Sequence, residues 1–321
     1  MKKQIAVILG PTATGKSHCG IALAQALDGE IISGDSMLVY RGMDIGTAKP
    51  TEEELALVPH HMVDILPPEA SFNVVDFKER AERLIDEITA RGKLPIIVGG
   101  TGLYIKALLE DYKFSSKGED SALRAELEAL LAEQGKEALY ARLEKSAPAE
   151  AGKIDINNTR RVIRAIEAAE SGDDISHSKS EELVYDAAVF GLRMERSVLY
   201  ERINRRVDIM LEQGLIEETR RLLEEGVPET AQSMQAIGYR QTVLYLKGEW
   251  EKAAAVDKIK QATRNFAKRQ FTWYKKMPYV KWFNLDAEPN YENVTAEMIK
   301  KDVEKIKIGK NYNNNKIMEG L

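Results

Sequence analysis

Apolar positions along the first hundred residues fall into two alternating kinds of run. Ile5-Ala6-Val7-Ile8-Leu9 is continuous, rich in β-branched residues and closed by Gly10-Pro11, the pattern of a strand buried on both faces. Helix-like spacing follows from Lys16 to Leu27, and Glu30-Ile31-Ile32-Ser33 reads as a second short strand. Val74 to Arg91 carries a helical period that stops at Gly92. Pro95-Ile96-Ile97-Val98 then runs into Gly99-Gly100-Thr101-Gly102, with another helix-like stretch from Leu103. This βαβ rhythm predicts an α/β fold, a parallel sheet with helices on its faces.

The character changes near residue 115. Lys113 to Ser121 is polar and lacks a period, whereas Leu123 to Lys145 and Asn158 to Ser171 are helix-like and rich in Ala, Glu, Leu and Arg. Gly172 to Glu182 reads as a polar loop, and Ala187 to Leu192 returns the chain to a strand. After Arg196 the chain is expected to be largely helical to about Tyr274. Residues 115–185 therefore read as a mostly helical insertion domain, 1–114 and 186–310 as the α/β core with C-terminal helices, and 311–321 as a polar, Asn-rich tail.

Length fits this division, because 321 residues are enough for about two domains. A single cysteine, Cys19, argues against a disulfide framework and a thiolate metal cage. His60 and His61 are adjacent and point apart, so they do not pair on one zinc ion. No apolar run approaches the roughly 20 residues of a membrane span, and no targeting segment is evident, so a cytoplasmic enzyme without membrane attachment is the expectation. The formal net charge of -5 on its face opposes a polyanion partner.

Gly10-Pro11-Thr12-Ala13-Thr14-Gly15-Lys16-Ser17 fits G-x-x-x-x-G-K-[ST], after a buried strand and at the start of a helix. Backbone N–H groups of such a loop converge on phosphate oxygens, Lys16 neutralises charge and the Ser17 hydroxyl suits Mg²⁺. The fold class expected is thus a P-loop NTPase-like parallel sheet flanked by helices. Ile96-Ile97-Val98, however, ends in Gly99-Gly100-Thr101 rather than in an acid that would hold a metal for NTP hydrolysis. A transferase holding a di- or triphosphate substrate fits better than a motor or switch.

Asp35 lies just past the second strand, on the sheet edge that the phosphate loop shares. It suits an indirect Mg²⁺ contact or a proton acceptor, and equally an Asx-turn or helix cap. Thr101, after the third strand, suits a bound anion or base and equally an N-cap. Charge placement then revises the polyanion argument. From Asp257 to Lys281 there are eight cations and one acid, with Lys260, Arg264, Lys268 and Lys275 on one arc of a helix. Phe271 falls among those cations, while Arg269 falls in the apolar stripe formed by Ile259, Ala262, Phe266 and Trp273. Arg160, Arg161 and Arg164 form a second cluster, and Arg202, Arg205 and Arg206 a third, compatible with phosphates spaced along an RNA.

Six segments together resemble the tRNA dimethylallyltransferases, also called tRNA isopentenyltransferases. They are GPTATGKS at 10–17, DSMLVYRGMDIGTAKP at 35–50, PHHMVDI at 59–65, IIVGGTGLYIKALL at 96–109, GYRQ at 238–241 and AKRQFTWYKK at 267–276. The resemblance implies transfer of a dimethylallyl group from its diphosphate to the exocyclic amine of the adenine just 3′ of the anticodon. It implies that Gly10 to Ser17 hold the diphosphate, with Mg²⁺ at Ser17, and that Lys16 and Arg206 stabilise the leaving group, Arg206 standing opposite the loop. Asp35 is implied as the general base, Ser36, Met37 and Leu38 as neighbours of the same adenine, and Thr101 as a contact to the nucleotide or the leaving group. Arg124, Thr159, Arg160, Arg161, Val162 and Ile163 are implied as RNA contacts. So are Gln235, Ala236, Ile237, Gly238, Tyr239 and Arg240, and the run Lys268, Arg269, Gln270, Phe271, Thr272, Trp273, Tyr274 and Lys275. Partners expected are dimethylallyl diphosphate and the tRNA anticodon stem-loop, with the enzyme itself a monomer.

Two departures stand out: Leu38 where many relatives carry Gln, and Asn157-Asn158-Thr159 in place of Asn-Asp-Pro. The alternatives are a nucleotide kinase-like phosphotransferase, an isopentenyltransferase of free adenine nucleotides and a non-catalytic RNA-binding module. The helical insertion and basic helix speak against the second of these, and intact Lys16, Ser17, Asp35 and Thr101 against the last.

Overall fold

Hydrophobic alternation along β1 (Gln4–Leu9) divides the core into two layers. Ile5, Val7 and Leu9 pack on one side of the sheet with Phe77, Ile85 and Ile105. Ala6 and Ile8 pack on the other with Cys19, Leu23 and Ala24. The computed structural model describes residues 2–114, 121–171, 180, 182–285, 297, 299–301 and 303. The tail expected over 311–321 and most of the loop expected over 172–182 lie outside the described residues.

The helix α1 (Lys16–Leu27) follows the phosphate-loop motif, and β2 (Gly29–Ser33) follows α1. A short α2 (Glu52–Leu57) with a Thr51/Glu54 capping box and a two-residue β3 (His60–His61) come next. The helix α3 (Val74–Ala90) is capped by Asn73, β4 (Leu94–Gly99) is buried throughout, and α4 (Gly102–Leu109) leaves its end. After α5 (Ser121–Ser146), α6 (Pro148–Ala151) and α7 (Thr159–Glu170), β5 (Asp186–Arg193) rejoins the sheet. The helices α8 (Arg196–Glu212), α9 (Leu215–Glu224), α10 (Tyr239–Leu246) and α11 (Lys252–Tyr274) precede β6 (Lys281–Asn284).

All six strands are parallel, in the order β3-β2-β4-β1-β5-β6. Pairing of Leu9 with Gly99 and of Ser33 with Val98 brings the C-terminal ends of β1, β2 and β4 side by side. The chain divides into two compact units, residues 1–111 with 182–321 and residues 112–181, where the sequence pattern had suggested 115–185. The second unit has its own core of Leu127, Leu139, Leu143, Ile154, Val162 and Ile166. No helix among the described residues is long and apolar enough to cross a membrane.

Several elements depart from the sequence pattern. The stretch Leu123–Lys145 is interrupted at Gly135, whose φ of 82° and ψ of 178° are non-helical. The helical region after Arg196 is cut by Gly214, Gly226, Gly238 and Gly248, all at positive φ, which a residue with a Cβ adopts at a cost. The strands β3 and β6 were not anticipated, because two and four residues are too few to show a period.

A close contact between two loops sets the geometry of the sheet edge. A Cβ built on Gly99 would lie 2.3 Å from the backbone of Gly34. Gly99→Ala is therefore expected to lower stability by about 1–3 kcal/mol through forced separation of the β2 and β4 ends, measured by urea unfolding.

Candidate active site

The phosphate loop is shaped by residues that fold it back on itself. Ala13 and Gly15 have φ of 65° and 81°, and the Thr14 hydroxyl donates to the Pro11 carbonyl at 2.8 Å. Arg202 Nε donates to the Ala13 carbonyl at 2.9 Å, fastening the loop to α8. No side chain caps α1, so its first amides keep their capacity for an anion. The Thr12 N–H is committed elsewhere, donating to Gln270 Oε1 at 3.1 Å. The Thr12 amide is thus taken by a side chain rather than left for an anion.

Asp35 stands on the loop that leaves β2. Its Oδ1 accepts the Met37 N–H at 2.8 Å, forming the Asx-turn that the sequence allowed as one reading. That turn orients the carboxylate without excluding a chemical role, and Asp35 lines a cavity with Lys16 and Arg206. The Thr101 hydroxyl does not cap its own helix. It accepts the Ser36 N–H at 3.2 Å, and the Thr101 N–H donates to the Gly34 carbonyl at 3.2 Å. Thr101 therefore grips the residues on either side of Asp35.

Two cavities meet at the phosphate loop. The smaller, about 320 Å³, is lined by Thr12, Lys16, Ser17, Asp35, Ser36, Met37, Leu38 and Arg206, with an apolar wall of Ile203, Val207, Met210, Ile259 and Phe266. The larger, about 1010 Å³, is lined by Ala13, Gly15, Lys16, Ser17 and His18, by Arg202, Arg205 and Arg206, and by acidic Asp44, Glu52, Glu54 and Asp64. Lys16, Ser17, Ala48, Arg206 and Met210 border both. Spacing alone did not separate Arg202 from Arg206. In the structure Arg202 holds the loop backbone and Arg206 borders both cavities.

The electrostatics follow from this convergence of cations. Burial pushes Lys16 down to about 8; neighbouring Asp35 opposes the shift and Arg206 adds to it. Arg206 is also lowered, by burial first and by Arg202, against the pull of Asp35. A cation pair only partly offset by Asp35 is further stabilised by an anion placed beside it.

The wall formed by residues 44–48 is held by two buried charges that the sequence did not reveal. The Lys49 ammonium reaches the Tyr40 carbonyl at 2.9 Å and pairs with both Asp44 and Asp64, and its side chain is 4% exposed. Glu218 on α9 accepts the consecutive N–H groups of Asp44, Ile45 and Gly46, and the Tyr239 hydroxyl at 2.6 Å. The Tyr239 ring lies where a Cβ on Gly46 would be, 2.5 Å away. The DxGT-type run at 44–47 was visible as a polar loop, but nothing local marks a glutamate some 170 residues away as its partner.

The residues implied as RNA contacts separate into several groups. Gln235, Ala236, Ile237, Gly238, Arg269 and Gln270 line the smaller cavity, and Arg240, Lys268, Thr272, Trp273 and Lys275 are exposed. Tyr239 and Tyr274 are fully buried; Tyr274 is tied by its hydroxyl to Gly10 and Gly100. Phe271 does not stand with the cations as expected but packs on Trp282 of β6, and Trp273 faces outward rather than into the apolar stripe. The physical reason is the unanticipated β6, which supplies an apolar partner on that side of α11.

In the second unit, Arg160 and Arg161 are exposed in the first turn of α7, beside half-buried Thr159. Val162 and Ile163, expected as RNA contacts, instead turn their side chains into that unit's core, because a helix that exposes Arg160 and Arg161 carries the next two positions inward. Arg124 Nη2 donates to Oε2 of buried Glu167 at 2.8 Å, and the Arg124 Nε lies 2.8 Å from Oε1 of the same carboxylate as an ion pair. Among the described residues no group of three or more His, Cys, Asp or Glu could hold a metal ion. His60 Nδ1 lies 2.8 Å from the Val58 carbonyl and His61 Nε2 2.7 Å from Glu30.

Comparison with known proteins extends these observations. Residues 38–277 match the family model described as IPP transferase. A tRNA dimethylallyltransferase of Geobacillus kaustophilus (strain HTA426) is 50% identical over 289 residues, 89% of this chain and 91% of that protein. One from Exiguobacterium sp. (strain ATCC BAA-1283 / AT1b) is 49% identical over 296 residues, covering 91% and 95%. Among solved structures, the tRNA isopentenylpyrophosphate transferase of Bacillus halodurans superposes with a TM-score of 0.72 at 43% identity, over 97% of this chain and 100% of that one. A eukaryotic dimethylallyltransferase acting on tRNA gives a TM-score of 0.74 at 27% identity, over 92% and 78%.

The depressed Lys16 predicts a proton-linked anion site. A bound diphosphate favours the charged amine, so lysine-dependent affinity is greatest below pH 8 and declines as pH rises through that value. Calorimetry with inorganic diphosphate near pH 8, in two buffers of different ionisation heat, is expected to show uptake of about half a proton more per site than in Lys16→Met. Taking the difference from the variant removes the ligand's own titration.

Proposed function

The chain belongs to the IPP transferase family, and on that premise we propose that it transfers a dimethylallyl group from dimethylallyl diphosphate to the exocyclic amine of the adenine 3′-adjacent to the anticodon in tRNA, releasing diphosphate. The observation that carries the reading is one cavity bordered at once by phosphate-loop Lys16 and Ser17, by Arg206 and by Asp35. It joins a polyphosphate-binding end to a carboxylate able to take a proton.

The chemistry requires both ends. The allylic C–O bond breaks as a C–N bond forms, so carbon passes through partial positive charge while negative charge grows on diphosphate. Lys16 and Arg206 border the cavity in which that charge would grow, beside the start of α1, and electrostatic stabilisation of this kind is usually the largest catalytic contribution. An aryl amine is a weak nucleophile whose proton acidifies as the new bond forms. Asp35, held by its Asx-turn and by the grip of Thr101 on its neighbours, accepts that proton. The apolar wall of Ile203, Val207, Met210, Ile259 and Phe266 matches a hydrocarbon chain and limits access of water to the allylic carbon.

Ser17 lines both cavities beside the loop. One hydroxyl, with phosphate oxygens and water as remaining ligands, suits Mg²⁺, which keeps several waters and seldom uses an all-protein cage. When bound there, Mg²⁺ supplies further charge neutralisation to the leaving diphosphate. An adenine in a stacked loop has to be extruded to reach Asp35. Gln235 to Gly238 and Arg269 line the same cavity and are suited to receive it. Exposed Arg240, Lys268 and Lys275, and Arg160 and Arg161 of the second unit, suit the RNA backbone.

Radiolabelled dimethylallyl diphosphate incubated with the protein and either unmodified tRNA or AMP separates the readings. Label on the adenine 3′ of the anticodon is the expected result, and label on AMP but not on tRNA overturns the RNA substrate. In single-turnover assays with saturating donor, Asp35→Ala is expected to slow transfer about 10²–10⁴-fold. A near-normal rate would sink its assignment as the base.

A further inference from the structure

The phosphate loop and the Asp35 loop leave different strands, and β4 lies between β1 and β2. The sheet aligns the strand ends, and contacts across the loop after β4 are placed to hold the two loops relative to each other. Thr101 holds Gly34 and Ser36, the neighbours of Asp35. Gly100, immediately before it, presents its carbonyl to α11, where Gln270 Nε2 donates at 2.9 Å and the Tyr274 hydroxyl lies at 2.9 Å. The other end of the Gln270 carboxamide accepts the Thr12 N–H of the phosphate loop at 3.1 Å, and the Tyr274 hydroxyl also lies 3.1 Å from the Gly10 carbonyl.

The two side chains differ in what they can give. Tyr274 has one proton to share between two carbonyls. Gln270 has a donor for the carbonyl and an acceptor for the amide, and this complementarity fixes which end of the carboxamide is which. Gln270 is 3% exposed, and a Cβ on Gly100 would lie 2.4 Å from its Nε2, so glycine is what admits it. Both ends of the carboxamide are engaged by backbone, although the side chain also borders the smaller cavity.

We infer that Gln270 is a positioning residue that keeps the loop carrying Asp35 in register with the phosphate loop, acting through Gly100 and Thr101 rather than by contact with RNA. The inference rests on the assignment of Asp35 as the base. A shift of the carboxylate relative to a donor anchored at the phosphate loop removes the alignment on which the proton transfer depends, while leaving the anion site intact.

A four-way comparison of wild type, Asp35→Ala, Gln270→Met and the double variant tests this, using single-turnover transfer to an unmodified anticodon stem-loop RNA at saturating dimethylallyl diphosphate. Methionine keeps the approximate length and volume while removing both hydrogen bonds. In the Asp35 background, Gln270→Met is expected to cost about 10- to 100-fold in rate, but under about 3-fold once Asp35 is alanine. The affinity for inorganic diphosphate is expected to stay within about two-fold in calorimetry. Equal rate losses in both backgrounds, or a diphosphate affinity that falls in step with the rate, would overturn the inference. If Gln270→Met does not fold, Gln270→Glu, which keeps an acceptor for the Thr12 N–H and loses the donor to the Gly100 carbonyl, takes its place in the same comparison. An unchanged rate in Asp35→Ala removes the base assignment and this inference together, whereas a slow Asp35→Ala with additive losses removes the inference alone.

Discussion

Phosphate loop, carboxylate and hydroxyl come from three strands of one sheet, and the whole site depends on how closely the ends of those strands approach. Parallel pairing of β1, β4 and β2 aligns the ends, but aligned ends still diverge once side chains are attached. Gly99 removes that obstacle, so the two backbones touch where a Cβ on Gly99 would lie 2.3 Å from Gly34 and wedge them apart. Contact at this point places the Thr101 hydroxyl against the Ser36 amide, and thereby gives Asp35 a fixed turn. A different residue at position 99 would alter the site without touching any group that takes part in the chemistry.

Charge is distributed around this frame in a graded way. Cations that border both cavities, Lys16 and Arg206, are disfavoured by burial and are not fully neutralised by Asp35. Arg202, one turn earlier on α8, is turned to the loop's own carbonyl and shapes the site. Exposed cations on α11 and at the start of α7 stand in solvent, where salt screens them. Raised ionic strength therefore screens those exposed cations first and the buried Lys16 and Arg206 much less.

What the sequence made legible was local. The phosphate loop needs a strand before it and a helix after it, and both are readable from adjacent residues; Asp35 and Thr101 are legible for the same reason, each directly following an apolar run. Residues whose meaning depends on a distant partner were not. Gln270 and Tyr274 sit in a basic helix and read as part of its polar and aromatic surface, yet each reaches back some 170 residues or more to the strand ends. Val162 and Ile163 follow a pair of arginines and read with them, although a helix turns 100° per residue and carries them inward. Phe271 was misplaced because its partner lies in β6, too short a strand to announce itself.

Glu218 has a consequence for how the site meets its ligands. Its carboxylate is closed over by three successive amides and a phenol, so the backbone at 44–46 is ordered before anything arrives. The conformational entropy of that segment is lost during folding, and none of it is subtracted from the free energy of association. Those partners are amides and a hydroxyl rather than cations, and the Glu218 carboxylate and the Tyr239 ring are themselves buried. Salt that screens the exposed cations acts little on these uncharged partners, so the surface can lose attraction for a polyanion while the backbone at 44–46 keeps its shape.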